Sequence, residues 1–130
     1  MDRLFLDANV LFSAAYSHDA GMLKIWKLKD VVLCTSRHAI QEARVNLEEA
    51  EQSRRLTQLV DGLQLFEMTL DALPVGITLP DKDAPILLAA INARATHLLT
   101  GDLRHFGAYM NKKVAGIVIQ LPGEYLRARK

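Results

Sequence analysis

Short apolar runs alternate with helical patterns along this chain, and that alternation constrains its fold more than any other feature. Residues 4–6, 31–35, 63–68, 97–100 and 116–121 are apolar runs of strand length. Helical patterns lie between them, at about 8–16, 20–28, 36–47 with Ser36 as N-cap, 48–60 and 83–93. A short last helix starts near Pro122. Residues 71–80, punctuated by Pro74, Gly76 and Pro80, read as a loop. Parallel strands need crossover connections, which helices supply, and those helices cover both faces of the sheet. The expectation is therefore an α/β fold: a single three-layer domain over 1–130, with a mainly parallel central sheet flanked by helices. With 130 residues, half of them hydrophobic, the chain can bury a real core.

Several classes are excluded by composition. The one cysteine, Cys34, allows no internal disulfide and lies in the apolar run Val31-Val32-Leu33-Cys34, where a buried core thiol is expected. The apolar run near the N-terminus, Leu4-Phe5-Leu6, is flanked by Asp2 and Asp7 and is too short for a signal peptide, whose core needs about 7–15 residues. No stretch approaches the roughly 18 apolar residues of a membrane span. A soluble, cytoplasmic protein with no membrane partner is expected. The net charge of +1 hides an asymmetry. Residues 1–93 carry 9 basic and 13 acidic side chains, net −4, whereas residues 94–130 carry 7 and 2, net +5. A basic segment attracts phosphate backbones, although a solvated tail would have the same composition.

Four acids stand out by position. Asp7 and Asp102 each follow a strand, and in open parallel sheets ligands bind beyond the carboxyl ends of strands. An N-cap role for Asp7 and a turn role for Asp102 are the plainer alternatives. In the helix after Ser36, Ala39, Ile40, Ala43 and Leu47 span an arc of about 100°, and Glu42 lies roughly 115° from its centre, at the flank. Asp83 projects near the middle of the apolar face formed by Ile86, Leu87, Ala90 and Ile91. A carboxylate aimed inward is costly unless it is paired or holds a metal. Asn9, Ser13 and Thr100 are placed to orient carboxylates or water around such a site. His18, His38, His97 and His105 show no zinc spacing and have no cysteine partners, so an all-oxygen site suited to Mg²⁺ or Mn²⁺ is expected. The chain has no Gly-x-Gly-x-x-Gly or Walker loop and no Gly-x-Ser-x-Gly elbow.

These residues resemble the PIN-domain family. Leu4-Phe5-Leu6-Asp7-Ala8-Asn9-Val10-Leu11 looks like its opening strand and first acid. Asp83-Ala84-Pro85-Ile86-Leu87-Leu88-Ala89-Ala90 and Ala95-Thr96-His97-Leu98-Leu99-Thr100-Gly101-Asp102 look like its third and fourth acids, and Glu42 occupies the place of the second. Asp81 and Asp83 both stand near the third acid's place and both stay open as its ligand, with Asp83 fitting the family spacing and the helical face. The resemblance implies a Mg²⁺- or Mn²⁺-dependent ribonuclease whose metal site and catalytic residues are Asp7, Glu42, Asp83 and Asp102. It also implies a role, as in VapC-type proteins, as the toxin of a toxin–antitoxin pair, with an antitoxin partner and self-association. RNA contact would come from the basic C-terminal segment, with Arg104 nearest the site in sequence. Two alternatives stay open: a PIN fold that binds RNA or protein without cleaving, and a phosphohydrolase with Asp7 as nucleophile. The second lacks the additional aspartate expected two residues after Asp7, where Asn9 stands.

Overall fold

The computed structural model describes residues 1–68 and 72–129, so Asp71, at the start of the expected loop, and Lys130, of the basic tail, lie outside the described residues. Six strands form one sheet: β1 (Asp2–Leu6), β2 (Val31–Thr35), β3 (Gln64–Leu65), β4 (His97–Leu99), β5 (Lys113–Val114) and β6 (Ile117–Gln120). Their spatial order is β3-β2-β1-β4-β6-β5. Every pairing is parallel except β5 with β6. The helices are α1 (Ala8–Tyr16), α2 (Arg37–Asn46), α3 (Ala50–Val60), α4 (Ala84–Asn92), α5 (Leu103–Phe106) and α6 (Pro122–Ala128).

Consecutive residues of the central strands are buried: Leu4, Phe5 and Leu6 in β1, Leu98 and Leu99 in β4. Side chains alternate faces along a strand, so burial of neighbours means that both faces are covered. This is the three-layer α/β domain expected from the alternation. The chain runs outward from β1 through β2 to β3, then returns to place β4 on the other side of β1. The switch point therefore lies between β1 and β4, and their carboxyl ends open a crevice there.

Local chemistry explains the boundaries. Ser36 caps α2, its Oγ accepting from Ala39 N–H at 3.1 Å. Pro85 occupies the first turn of α4, where its missing N–H costs nothing. Ile86 through Ala90 are all buried, so α4 is a core helix on nearly every side.

Three readings are corrected. Residues 20–28 form not an α-helix but a 3-10 helix, Gly21–Lys27, in which only Ile25 is fully buried, too narrow an apolar face to sustain a full helix. The strand expected over 63–68 is cut to Gln64–Leu65, because its partner β2 turns into α2 after Thr35; Phe66 N–H to Thr35 carbonyl at 2.9 Å is the last rung. Gly116 is a turn residue, not the start of β6. With Ala115 at φ 52° and Gly116 at φ 82°, the two residues form the primed turn that a two-residue hairpin favours, which makes β5 and β6 antiparallel. The short α5, a 3-10 turn at Gly107–Tyr109 and β5 were not foreseen.

Candidate metal centre

An open cleft of about 660 Å³ lies at the carboxyl ends of β1 and β4. Asp7, Glu42, Asp83 and Asp102 all line it, together with Asn9, Ser13 and Lys82. Phe12 and Met22 form part of its apolar wall. Four elements deliver the acids. Asp7 follows β1 and precedes α1; Glu42 is on α2; Asp83 immediately precedes α4; Asp102 lies between β4 and α5. Asp81 is exposed and is not part of the lining.

Asp7 is buried, 4% exposed, at the N-cap of α1. Oδ1 accepts from Ala8 N–H at 2.7 Å, and Oδ2 accepts from the Thr100 hydroxyl at 2.8 Å and Asn9 Nδ2 at 3.2 Å. Burial raises its pKa from 3.8 to about 6; the Thr100 and Ala8 hydrogen bonds oppose the rise, and repulsion from Asp83 and Glu42 adds to it. The capping alternative and the cleft position hold together, in one carboxylate.

Thr100 ties the two strand ends together. Its Oγ1 donates to Asp7 and accepts from Asn9 Nδ2 at 3.2 Å and Asp102 N–H at 3.1 Å. Asn9 closes the circuit by accepting from Gly101 N–H at 2.7 Å. Asn9 and Thr100 thus hold carboxylates, as expected. Ser13 lines the cleft but makes no hydrogen bond to the carboxylates among the described residues.

Glu42 is half-buried and its Oε1 lies 2.7 Å from His38 Nε2. The same nitrogen is 3.0 Å from the Lys82 carbonyl, which links α2 to the segment entering α4 and brings Glu42 to the Asp83 side of the cleft. Arg104 is exposed and outside the cleft lining.

Asp83 is 5% exposed. It occupies the N-cap position of α4, yet its side chain makes no capping bond. Its Oδ2 has no aligned hydrogen bond, although His105 Nδ1 is 2.9 Å away. That nitrogen lies 2.8 Å from Asp102 Oδ2, and one Nδ1 proton cannot serve both oxygens. Burial raises the Asp83 pKa, His105 opposes the rise, and Asp102 reinforces it. Among the described residues Asp83, Asp102 and His105 form a metal-competent group, with ligand atoms within 4.8 Å of one another; Asp7 and Glu42 line the cleft beside that trio. No zinc motif was expected of the histidines, yet the structure sets His38 against Glu42 and brings to the acids one residue not named as part of the site, His105. Its one signal in the sequence was the three-residue spacing from Asp102 to His105 across a first helical turn.

A buried carboxylate oxygen without a partner, beside a second carboxylate and an imidazole, fits a divalent cation. A family model described as "PIN domain" matches residues 3–104, a span containing all four acids. VapBC2 from Rickettsia felis, solved bound to a DNA fragment from its promoter, is similar in fold, with TM-score 0.62 and 15% identity over 90% of this chain and 96% of that one. FitAB bound to the IR36 DNA fragment gives a TM-score of 0.55 and 17% identity, covering 92% and 94%. No curated protein matches by sequence. With the family model covering most of its length, and its first acid, switch-point cleft and last acid in one matched span, this chain belongs to the PIN-domain family.

Proposed function

We propose that this protein is a divalent-metal-dependent endoribonuclease, the toxin of a toxin–antitoxin pair acting in the cytoplasm. The observation that carries the reading is the convergence of Asp7, Glu42, Asp83 and Asp102, from four separate elements, on one cleft in which Asp83 Oδ2 is buried and unpartnered. Asp7, Glu42, Asp83 and Asp102 would together hold the ion, with Asp83 and Asp102 nearest each other. A bound Mg²⁺ or Mn²⁺ supplies charge neutralisation for the scissile phosphate and a nucleophilic water at neutral pH. The chain's own residues do the positioning. Thr100 and Asn9 fix Asp7 Oδ2, and Thr100 also fixes the backbone of Asp102. Asn9 holds Gly101, and His38 holds Glu42.

RNA suits the cleft because it is open at the surface, where a flexible single strand can lay a phosphate against recessed carboxylates. Arg104 and the basic residues after position 93 would contact the backbone beside it. The partner reading is supported by the likeness in fold to VapBC2 and FitAB, together with the resemblance to VapC-type proteins. An antitoxin would block the cleft, and self-association would use exposed helix faces. The test is cleavage of a labelled single-stranded RNA, with a DNA oligonucleotide of the same sequence alongside. Cleavage in Mg²⁺ or Mn²⁺ that stops in EDTA is expected for RNA. Cleavage that continues unchanged in EDTA refutes the metal mechanism, and binding without cleavage of any RNA identifies a non-cleaving module.

A further inference from the structure

We propose that His105 is itself a ligand of the divalent ion, so that the site is a mixed imidazole–carboxylate centre and not an all-oxygen one. The inference rests on the metal-site reading above and adds a donor to it. Nδ1 of His105 lies 2.8 Å from Asp102 Oδ2 and 2.9 Å from Asp83 Oδ2. Adjacent ligands on an octahedral ion with bonds of about 2.1 Å are themselves about 3.0 Å apart. Both separations from Nδ1 therefore stand close to the spacing of one coordination sphere, and all three ligand atoms lie within 4.8 Å of one another.

The hydrogen bonding points the same way. A single proton on Nδ1 satisfies Asp102 and leaves Asp83 Oδ2, 95% buried with its residue, without a partner. An ion in place of that proton would satisfy the imidazole and both carboxylates at once. The exchange is a change of tautomer: Nδ1 releases its proton to solvent as Nε2 takes one up, the ring stays neutral, and the Nδ1 lone pair binds the ion. The ring is already held for this role. His105 N–H donates to Asp102 Oδ1 at 3.1 Å, and the next residue, Phe106, is fully buried and anchors α5. Imidazole favours transition metals, whereas Mg²⁺ favours oxygen, so the donor set tilts the site toward Mn²⁺.

Pulsed EPR of the Mn²⁺-loaded full chain, with Mn²⁺ and Mg²⁺ titrations, tests this. The parent is expected to show ¹⁴N coupling of a directly bound imidazole. His105→Gln, which keeps an N–H near Asp102, should lose the coupling, and His38→Gln should keep it. Mn²⁺ affinity of His105→Gln should fall at least about tenfold, with a smaller change for Mg²⁺. Mn²⁺ bound without nitrogen coupling, or coupling that survives in His105→Gln, overturns the assignment while leaving the carboxylate site standing. No Mn²⁺ binding by the parent overturns both.

Discussion

Replacing Asp7 by asparagine should stabilise the metal-free protein at neutral pH while abolishing cleavage. The folded-state pKa of Asp7 is raised by burial from 3.8 to about 6. A raised carboxyl pKa means that the folded protein holds its proton more tightly than the unfolded chain. The resulting stability is fully present below pH 3.8 and is lost as pH rises through 6. The shift is about two units, and at ~1.4 kcal/mol per unit the ionised carboxylate costs roughly 3 kcal/mol at pH 7. Asparagine removes that cost but loses about 1 kcal/mol, because with its oxygen accepting from Ala8 its NH2 group can accept from neither Thr100 nor Asn9. The net gain is about 2 kcal/mol, or roughly 8 °C in Tm for a domain of this size. By pH 4 the penalty has fallen below ~1 kcal/mol and the advantage of the mutant disappears. Saturating Mg²⁺ should reverse the order. At a hundred times its Kd a ligand adds about 2.7 kcal/mol, and the parent should gain far more of this than the mutant. Thermal melts of both proteins at pH 4 and 7, in EDTA and in Mg²⁺, decide the matter. A difference that is flat with pH, together with equal metal responses and retained cleavage, would show that Asp7 only caps α1 and would refute the site.

Thr100→Val should cost about 1–3 kcal/mol in urea unfolding, because Asp7, Asn9 and the Asp102 amide each lose a partner. It should also raise the Asp7 pKa further, since the Thr100 hydrogen bond lowers it, so the loss of stability with rising pH should extend to higher pH; an unchanged profile would remove Thr100 from that role. In an Asp7→Asn background that binds without cutting, Arg104→Ala should flatten the log–log salt dependence of RNA binding by about one unit. An unaltered slope would strike Arg104 from the contacts. From the native host, the protein should co-purify with a small protein encoded beside it, and isolation of the chain alone would count against an antitoxin.

Much of the fold was legible because its determinants are local. Ser36 announces α2, Pro85 announces α4, and the apolar runs of β1 and β4 are buried as written. The failures lie where tertiary context decides. Nothing within residues 63–68 reveals that β2 stops pairing at Thr35, and nothing in Gly116 alone reveals that Ala115 shares its positive φ. The 3-10 helix at Gly21–Lys27 has helix-compatible residues, yet only one of them reaches the core.

The candidate site divides along the same line. Asp83 was legible because an acid in the middle of an apolar face demands an explanation from the sequence alone, and the structure gives that acid a buried oxygen with no partner. Asp7 and Asp102 were legible from strand ends. The balance of forces on Asp7 is not written in the residue pattern: burial raises its pKa more than repulsion from either Asp83 or Glu42. His105 was invisible for a different reason. Its partner Asp102 is three residues away, but its approach to Asp83 exists only once α4 and α5 meet across the cleft. A spacing rule tuned to zinc motifs looks for ligands repeated along one segment. A site assembled from the ends of a switch-point crevice draws each ligand from a different element, so its donors share a place in the fold and not a period in the sequence.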